Sequence, residues 1–410
     1  MPEFLQLAPP EEALNRFLNH LPVNVIKESI KTSQAFGRVT AEDMTAPHPL
    51  PEFRKSTVDG YAVKAEDTFA ASDSLPVYLT LKGELPMGEV PGFGIADTEC
   101  ALIHTGGMLP PGANAVVMLE FTQQTGSRQI EILRSVAEKE NVIEVGEDIS
   151  QGEVIIPKGR RLRAADIGGL LALGMTEIPV ARKPAVGILS SGDEVIPPHL
   201  NPQPGQVRDI NTYTLRALVE DIGGDVKSYQ IAPDHWETML ARVREAKEEN
   251  DLVIITAGSS ASRRDLTADV IDAQGEPGVL IHGVNVKPGK PTIFGVADQT
   301  AFVGLPGNPV SALVIAEHFV KPTIEALLGL REEKPLQTVQ ARLSINLSSE
   351  TGREHYVPVK LTQQEDGYRA DPVFGKSNLI FLLVRADGLV KIPSEASGMS
   401  AGEKVFVTLF

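Results

Sequence analysis

Asp251-Leu252-Val253-Ile254-Ile255-Thr256-Ala257-Gly258 is an unbroken apolar run that starts on an acid and closes on a glycine. A strand with one wet face alternates. A run that is apolar at every position is covered on both faces, as inside a parallel sheet. Immediately upstream, residues 234–250 (DHWETMLARVREAKEEN) read as a helix opened by Asp234, with Glu237 three residues on as a capping box. Farther upstream, VKSYQIA (226–232) reads as a strand. NTYTLRALVEDIGG (211–224) reads as a helix with Asn211 as N-cap and Gly223 past its end, and PAVGILSSG (184–192) as an apolar strand running into a loop. Downstream, VLIHGVNV (279–286), TIFGV (292–296) and AFVGLPG (301–307) add strands, and residues 309–329 add a helix. Strands alternating with helices predict an open α/β sheet covered on both faces, spanning residues 179–328.

The flanks have other textures. Residues 8–45 read as helical: PPEEALNRFLNHL (9–21) puts Ala13, Leu14, Phe17, Leu18 and Leu21 on one face, and KESIKTSQAFGR (27–38) is expected as a second short helix closed by Gly37. Pro47, Pro49 and Pro51 make a stiff connection and mark a boundary. Short β-rich runs between Gly and Pro clusters then predict a small inserted β domain over 46–141. Residues 142–178, which carry the helical AADIGGLLALG (164–174), are grouped with 8–45 as one discontinuous linker domain. Past a linker at REEKPLQTV (331–339), alternating segments predict a terminal β domain over 329–410. The expected fold is thus multidomain α/β plus β.

Composition bounds the function. The chain has 410 residues, 38 basic and 54 acidic, so its net charge is −16, which disfavours nucleic acid and anionic membrane as partners. The only cysteine, Cys100, excludes an internal disulfide and a thiolate-rich metal site. No basic–apolar leader and no apolar run long enough to span a bilayer is present, so the expected location is the cytoplasm. Residues 283–290 miss the P-loop spacing, and Pro291 stands where Ser or Thr would hold Mg²⁺. The eight histidines lack zinc-ligand spacing, and no Gly-x-Ser-x-Gly elbow exists.

Chemistry-bearing residues collect where strands end. Ser190-Ser191-Gly192-Asp193-Glu194, Ala257-Gly258-Ser259, and Leu305-Pro306-Gly307-Asn308-Pro309 are strand-end loops, and Lys287-Pro288-Gly289-Lys290 is a two-lysine turn. Such loops offer backbone N–H groups to an anion, and Lys287 and Lys290 would neutralise it. Glu194, Asp234 and Asp265 are the acids available for Mg²⁺, with Glu194 and Asp265 as the direct metal ligands. Each piece also has a plain reading: Asp234 and Asp265 as helix caps, Asp193 and Glu194 as a solvated turn, Pro306 to Pro309 as a rigid turn. Lys55-Ser56-Thr57-Val58-Asp59-Gly60-Tyr61-Ala62-Val63 reads locally as a tight turn entering a strand. Residues 105–117 (TGGMLPPGANAVV) read as a surface loop.

Taken together, STVDGYAV (56–63), HTGGMLPPGANAVVMLE (104–120), VGEDI (145–149), GILSSGDEV (187–195), VKPGKP (286–291) and GLPGNPVSA (304–312) resemble the molybdopterin molybdenumtransferase family, of MoeA and gephyrin E-domain type, in order along the chain. Val58 replaces the family's Met and Asn114 its Asp. The resemblance implies a central α/β domain of the molybdopterin-binding type. It implies a homodimer whose active site is shared between subunits, and Mg²⁺-dependent insertion of molybdate into adenylylated molybdopterin with release of AMP. By analogy Asp59, Thr105, Asp148, Glu194, Asp234 and Asp265 are catalytic positions. Ser191, Gly192, Gly258, Ser259, Lys287, Lys290, Pro306, Gly307, Asn308, Pro309, Arg353 and Ser377 are binding positions. The adenylyltransferase and molybdoenzyme apoproteins are the implied protein partners. Ser262-Arg263-Arg264 departs from the family's small residues, and Asn378 stands where His often follows the matched serine. Three alternatives stay open: a tungstate-inserting paralogue, adenylyl transfer from ATP to molybdopterin, and a non-catalytic dimeric scaffold.

Overall fold

The protein is described by a computed structural model covering residues 7–21, 23–257, 261–331 and 337–410, with the side chains of 261–265 outside that description. Gly258 and Ser259 lie outside the described residues. The chain forms two compact units, one of residues 1–41, 159–163 and 178–410, the other of residues 42–158 and 164–177.

The larger unit is organised by a six-stranded sheet of β1 (Ala185–Ser190), β2 (Asp225–Ser228), β3 (Leu252–Ala257), β4 (Pro277–His282), β5 (Ile293–Ala297) and β6 (Thr300–Pro306), in the order β2-β1-β3-β6-β5-β4. The apolar run Leu252–Ala257 is β3, buried at every position. Alternation sorts its neighbours between faces. Val186, Ile188, Leu252, Ile254, Val303 and Leu305 pack with Leu215 and Val219 of the helix Asn211–Ile222 and with Ile315 of the helix Pro309–Ile315. Leu189, Val253, Ile255 and Phe302 pack with Met239 and Val243 of the helix Trp236–Glu249 and with Ala268 and Ile271 of the helix Ala261–Asp272. The helix Pro10–His20 joins the first face through Phe17, whose ring lies 5.1 Å from Phe294, which lies 4.7 Å from Phe319. Each such aromatic pair contributes about 0.5–1.5 kcal/mol beyond area burial.

Chain direction differs from an all-parallel sheet. β2, β1, β3, β6 and the edge strand β4 share one direction, while β5 alone runs against them, antiparallel to both of its neighbours, β6 and β4. β5 and β6 are joined by the short turn at Asp298 and Gln299, too short for a crossover, so their pairing is a hairpin. The same unit carries a second six-stranded sheet, in which Glu354–Gln364, Gly367–Pro372, Thr338–Leu343, Lys404–Leu409 and Gly388–Ile392 pair in that order, and Gly388–Ile392 pairs back onto Glu354–Gln364. The strand Val286–Lys287 joins its edge beside Glu354–Gln364.

The other unit is built on a six-stranded sheet in the order Ala115–Met118, Gly60–Val63, Glu99–Ile103, Val77–Glu84, Gln129–Ile132, Thr122–Gln124. Lys55–Ser56 pairs with Val142–Ile143, and Met44–Thr45 pairs with Val154–Ile156. The predicted helix at 164–174 is present as Ala164–Ala172.

Four local expectations fail. Residues 27–38 are not a helix but the strand Lys27–Lys31 and a 3₁₀ turn Thr32–Gln34, because the strand pairs with Glu177–Ala181, far along the chain. Tertiary pairing overrides a weak local pattern. Asn211 is not an N-cap: the helix begins at Asn211 itself, and the Asp209 carboxylate accepts the Thr212 N–H at 3.1 Å. Asp234 does not cap its helix either, since His235 is the flanking residue and makes no side-chain cap; Asp234 N–H instead donates to Asp193 Oδ1 at 3.2 Å. Asp265 lies inside the helix Ala261–Asp272 rather than ahead of it. Among the described residues no helix is long and apolar enough to cross a membrane.

Candidate functional site

In the large unit, the chain leaves β1 through the helix on one face and enters β3 from the helix on the other. The crevice between the carboxyl ends of β1 and β3 is therefore the topological switch point, where open α/β sheets bind ligands. Ser190, the last residue of β1, is its hub. Its hydroxyl is 3.1 Å from Asp209 Oδ1, 2.8 Å from Thr212 Oγ1 and 2.9 Å from Thr256 Oγ1 at the end of β3. All four residues are buried, so the network fixes the rim by hydrogen bonds among its own side chains.

Four of the predicted positions leave this hub together. Ser191 N–H donates to Thr256 O at 2.9 Å, and Gly192 N–H to Ala232 O at 3.1 Å. Gly192 has a φ of +145°, and a Cβ there would sit 3.0 Å from Glu194 Oε2, so the half-buried Glu194 folds back over the turn. The Asp193–Asp234 hydrogen bond then brings Asp234 beside the Glu194 loop. Across the crevice, β6 delivers Pro306, Gly307, Asn308 and Pro309, and Gly307 O accepts from Asn211 Nδ2 at 2.9 Å.

A second group surrounds the helix Pro309–Ile315. Asn308 Nδ2 donates to Ser377 Oγ at 3.1 Å, and Val310 N–H to Ser377 O at 3.1 Å, so Ser377 is fastened to the loop that precedes the helix. The Lys287–Lys290 turn lies on the same helix: Gly289 has a φ of +127°, and a Cβ there would meet Ile315 Cδ1 and Cγ1 at 2.5 Å. Lys287 stands in register with His355 on the adjacent parallel strand. His355 Nδ1 is 3.2 Å from Ser349 Oγ, and Arg353 pairs with Glu350 at 3.4 Å. Lys287 and Arg353, distant in sequence, are thus gathered at one sheet edge. Burial first, then the Lys287 charge, pushes the His355 imidazole down to about 4.

In the other unit, Asp59 Oδ1 accepts from Thr105 N–H at 2.8 Å and from the Thr105 hydroxyl at 3.2 Å. Those two donors, the backbone one first, hold the exposed carboxyl below the ordinary value. His104 links the pair onward: its Nε2 is 2.9 Å from Glu84 Oε1 and its Nδ1 3.7 Å from Asp59 Oδ1. Glu84 is the main cause of its raised pKa. Asp148 lies exposed near the start of the same unit's pairing with Leu50, to whose carbonyl its N–H donates at 3.1 Å.

Among the described residues no three His, Cys, Asp or Glu side chains group to hold a metal. The Asp265 side chain is outside those residues. Glu194 and Asp234 still supply carboxylates of the kind Mg²⁺ takes, one or two at a time, with phosphate oxygens and water. Sequence reading missed Asp209, Asn211, Thr212, Thr256 and His355. Asp209 and Asn211 carried a signal, flanking a helix start just past a strand-end loop. His355 carried none, because only strand register brings it to Lys287.

The chain matches three family models end to end: "MoeA N-terminal region (domain I and II)" over residues 8–174, "Probable molybdopterin binding domain" over 187–326, and "MoeA C-terminal region (domain IV)" over 340–410. It is 31% identical over 402 residues to the molybdopterin molybdenumtransferase of Haemophilus influenzae, covering 98% of each chain. It is 30% identical to that of Staphylococcus epidermidis, covering 97% of this chain and 94% of the relative. Among solved structures, a molybdopterin biosynthesis MoeA protein from Pyrococcus horikoshii superposes with a TM-score of 0.86 at 32% identity, covering 99% of this chain and 100% of that one.

Proposed function

Because this chain belongs to the MoeA family of molybdopterin molybdenumtransferases, we propose that it inserts molybdate into adenylylated molybdopterin in a Mg²⁺-dependent reaction that releases AMP. The observation that carries this finer reading is the gathering of the Lys287–Lys290 turn, Ser377 and the Pro306–Pro309 loop around one helix. A basic group beside a switch-point crevice suits an oxyanion held next to a phosphorylated pterin.

In this reading Lys287, Lys290, Arg353 and Ser377 bind and orient the oxyanion, and the strand-end loops at Ser191, Gly192, Gly258, Ser259, Gly307 and Asn308 hold the pterin phosphate. Glu194 and Asp265 hold Mg²⁺, which neutralises phosphate charge when bound. Asp234 orients the Glu194 turn through Asp193. Asp59, fixed by Thr105, and Asp148 serve from the β-rich unit, and the active site is shared between the subunits of a homodimer. The phosphoanhydride P–O bond breaks as water adds, giving AMP and the molybdopterin monophosphate, and molybdenum forms two bonds to the dithiolene sulfurs as one molybdate oxygen departs as water with the two thiol protons.

Our domain assignment keeps residues 8–45 and 142–178 as the linker domain, 46–141 as the inserted β domain, 179–328 as the α/β domain and 329–410 as the terminal β domain. We place the enzyme in the cytoplasm, with the adenylyltransferase and molybdoenzyme apoproteins as its protein partners. Tungstate is the competing cargo. Incubation with adenylylated molybdopterin, Mg²⁺ and either molybdate or tungstate, with AMP measured by chromatography, tests the reading. AMP release that requires Mg²⁺ and is fastest with molybdate is expected, and AMP no higher than in a no-protein control overturns it.

A further inference from the structure

His355 has no place among the expected site residues, yet it stands where the cations gather. Registered neighbours on parallel strands present side chains to the same face, so His355 emerges beside Lys287. The residues 349–353 close the other side, with Ser349 Oγ 3.2 Å from His355 Nδ1, and with Glu350 and Arg353 paired at 3.4 Å. The neighbouring acid Glu354 is turned away: its carboxylate accepts from Tyr356 and from Lys391 on the opposite face of the strand, where the Tyr356 ring lies 4.1 Å from the His318 ring in a tilted contact. Ile392, not a charged residue, is in register with His355 on its other flank. The charged groups acting on the imidazole are therefore Lys287 and Glu350.

We propose that His355 is a further oxyanion-binding residue of this chain, standing beside Lys287 and lending its Nε2–H to a bound tetrahedral dianion. The assignment gives the Ser349 hydroxyl the donor role to Nδ1, which leaves the proton on Nε2. That nitrogen has no partner among the described residues. Burial and Lys287 keep the ring uncharged at neutral pH while the cleft is empty. A docked dianion reverses the local field, since an opposite charge within a few Å favours the protonated ring. Binding then draws in a proton. The sign follows: a group whose pKa is higher in the complex than in the free protein strengthens binding at low pH, and the gain is lost as pH rises through the value in the complex.

The inference rests on the oxyanion reading of the Lys287–Arg353 cluster, and the experiment separates the two. Molybdate binding to the full chain is measured by titration calorimetry from about pH 6 to about pH 8, in two buffers of different ionisation enthalpy. The parent protein is compared with Lys287→Ala, His355→Gln and His355→Phe, all checked for unchanged melting temperature. In the parent, affinity should rise toward low pH, with a buffer-dependent heat that reports proton uptake. His355→Gln keeps a donor, so it should bind within a few-fold of the parent but lose both the pH dependence and the buffer term. His355→Phe should bind about tenfold more weakly, the scale of one lost hydrogen bond to a charged group. A parent that binds no molybdate overturns the oxyanion reading itself. If the parent binds and Lys287→Ala does not, yet both His355 variants keep the parent's affinity and proton uptake, the role of His355 alone is refuted.

Discussion

Gly289→Ala is the substitution whose effect the structure specifies most fully. Two separate penalties apply. The φ of +127° lies where an L-residue is strained, a penalty of about 1–3 kcal/mol. The new methyl would also sit 2.5 Å from Cδ1 and Cγ1 of the fully buried Ile315, and forcing a methyl into a packed core costs about 1–3 kcal/mol. Together they predict a loss of about 2–6 kcal/mol, most of a domain's net stability at the upper end. Ile315→Val removes Cδ1 and by itself should cost about 0.5–1.5 kcal/mol. It removes one of the two carbons that the new methyl meets, so it relieves part of the clash and leaves the Cγ1 contact and the φ strain. The double variant should thus be more stable than the sum of the singles by about 1 kcal/mol or more, well beyond the ~0.5 kcal/mol within which independent sites add. Urea unfolding of the four proteins gives the cycle, and molybdate titration shows whether displacing the turn between Lys287 and Lys290 weakens binding. Gly289→Ala within ~0.5 kcal/mol of the parent, or strict additivity with Ile315→Val, would refute the packing of this turn on the helix.

Two further outcomes follow from side chains outside that turn. The buried Cys100 thiol, pushed up to about 12 by burial first and then by Glu99, should resist thiol reagents at neutral pH and react only once denaturant is added; rapid labelling of the native protein would contradict its burial. His104 should titrate above the ordinary imidazole value of 6.5, chiefly because Glu84 accepts from it, and Glu84→Gln should move its NMR titration midpoint back toward that value. A midpoint indifferent to Glu84→Gln would show that the Glu84–His104 contact does not persist in solution. Whatever stability this raised value confers is present below 6.5 and lost as pH climbs through the folded-state value.

Much of the architecture was legible because it is written in local periodicity. Leu252 to Ala257 is apolar at every position, and only a strand between two layers of helix buries such a run. Gly223, with its φ of +113°, ended the helix where glycine was read as a stop. The strand-end loops were legible for the same reason, as polar and glycine residues that break apolar runs. What periodicity could not supply was pairing. Lys27–Lys31 became a strand because Glu177–Ala181 was there to receive it, and β5 turned against its neighbours because the connection from β5 to β6 leaves no room for a crossover.

The candidate site divides along the same line. Ser191, Gly192, Glu194, Gly307 and Asn308 could be named from sequence, since each sits just past an apolar strand whose end must face solvent. The Ser190–Asp209–Thr212–Thr256 hub could not, because hydroxyls and a carboxylate find one another only after two strands and a helix start have been brought to one rim. Nor could the neighbourhood of His355. Register between two strands from distant parts of the chain sets it beside Lys287, and burial then decides its charge. A residue's type and spacing are local properties, fixed along the chain. A field and a hydrogen-bond partner are properties of space, and only the folded chain creates them.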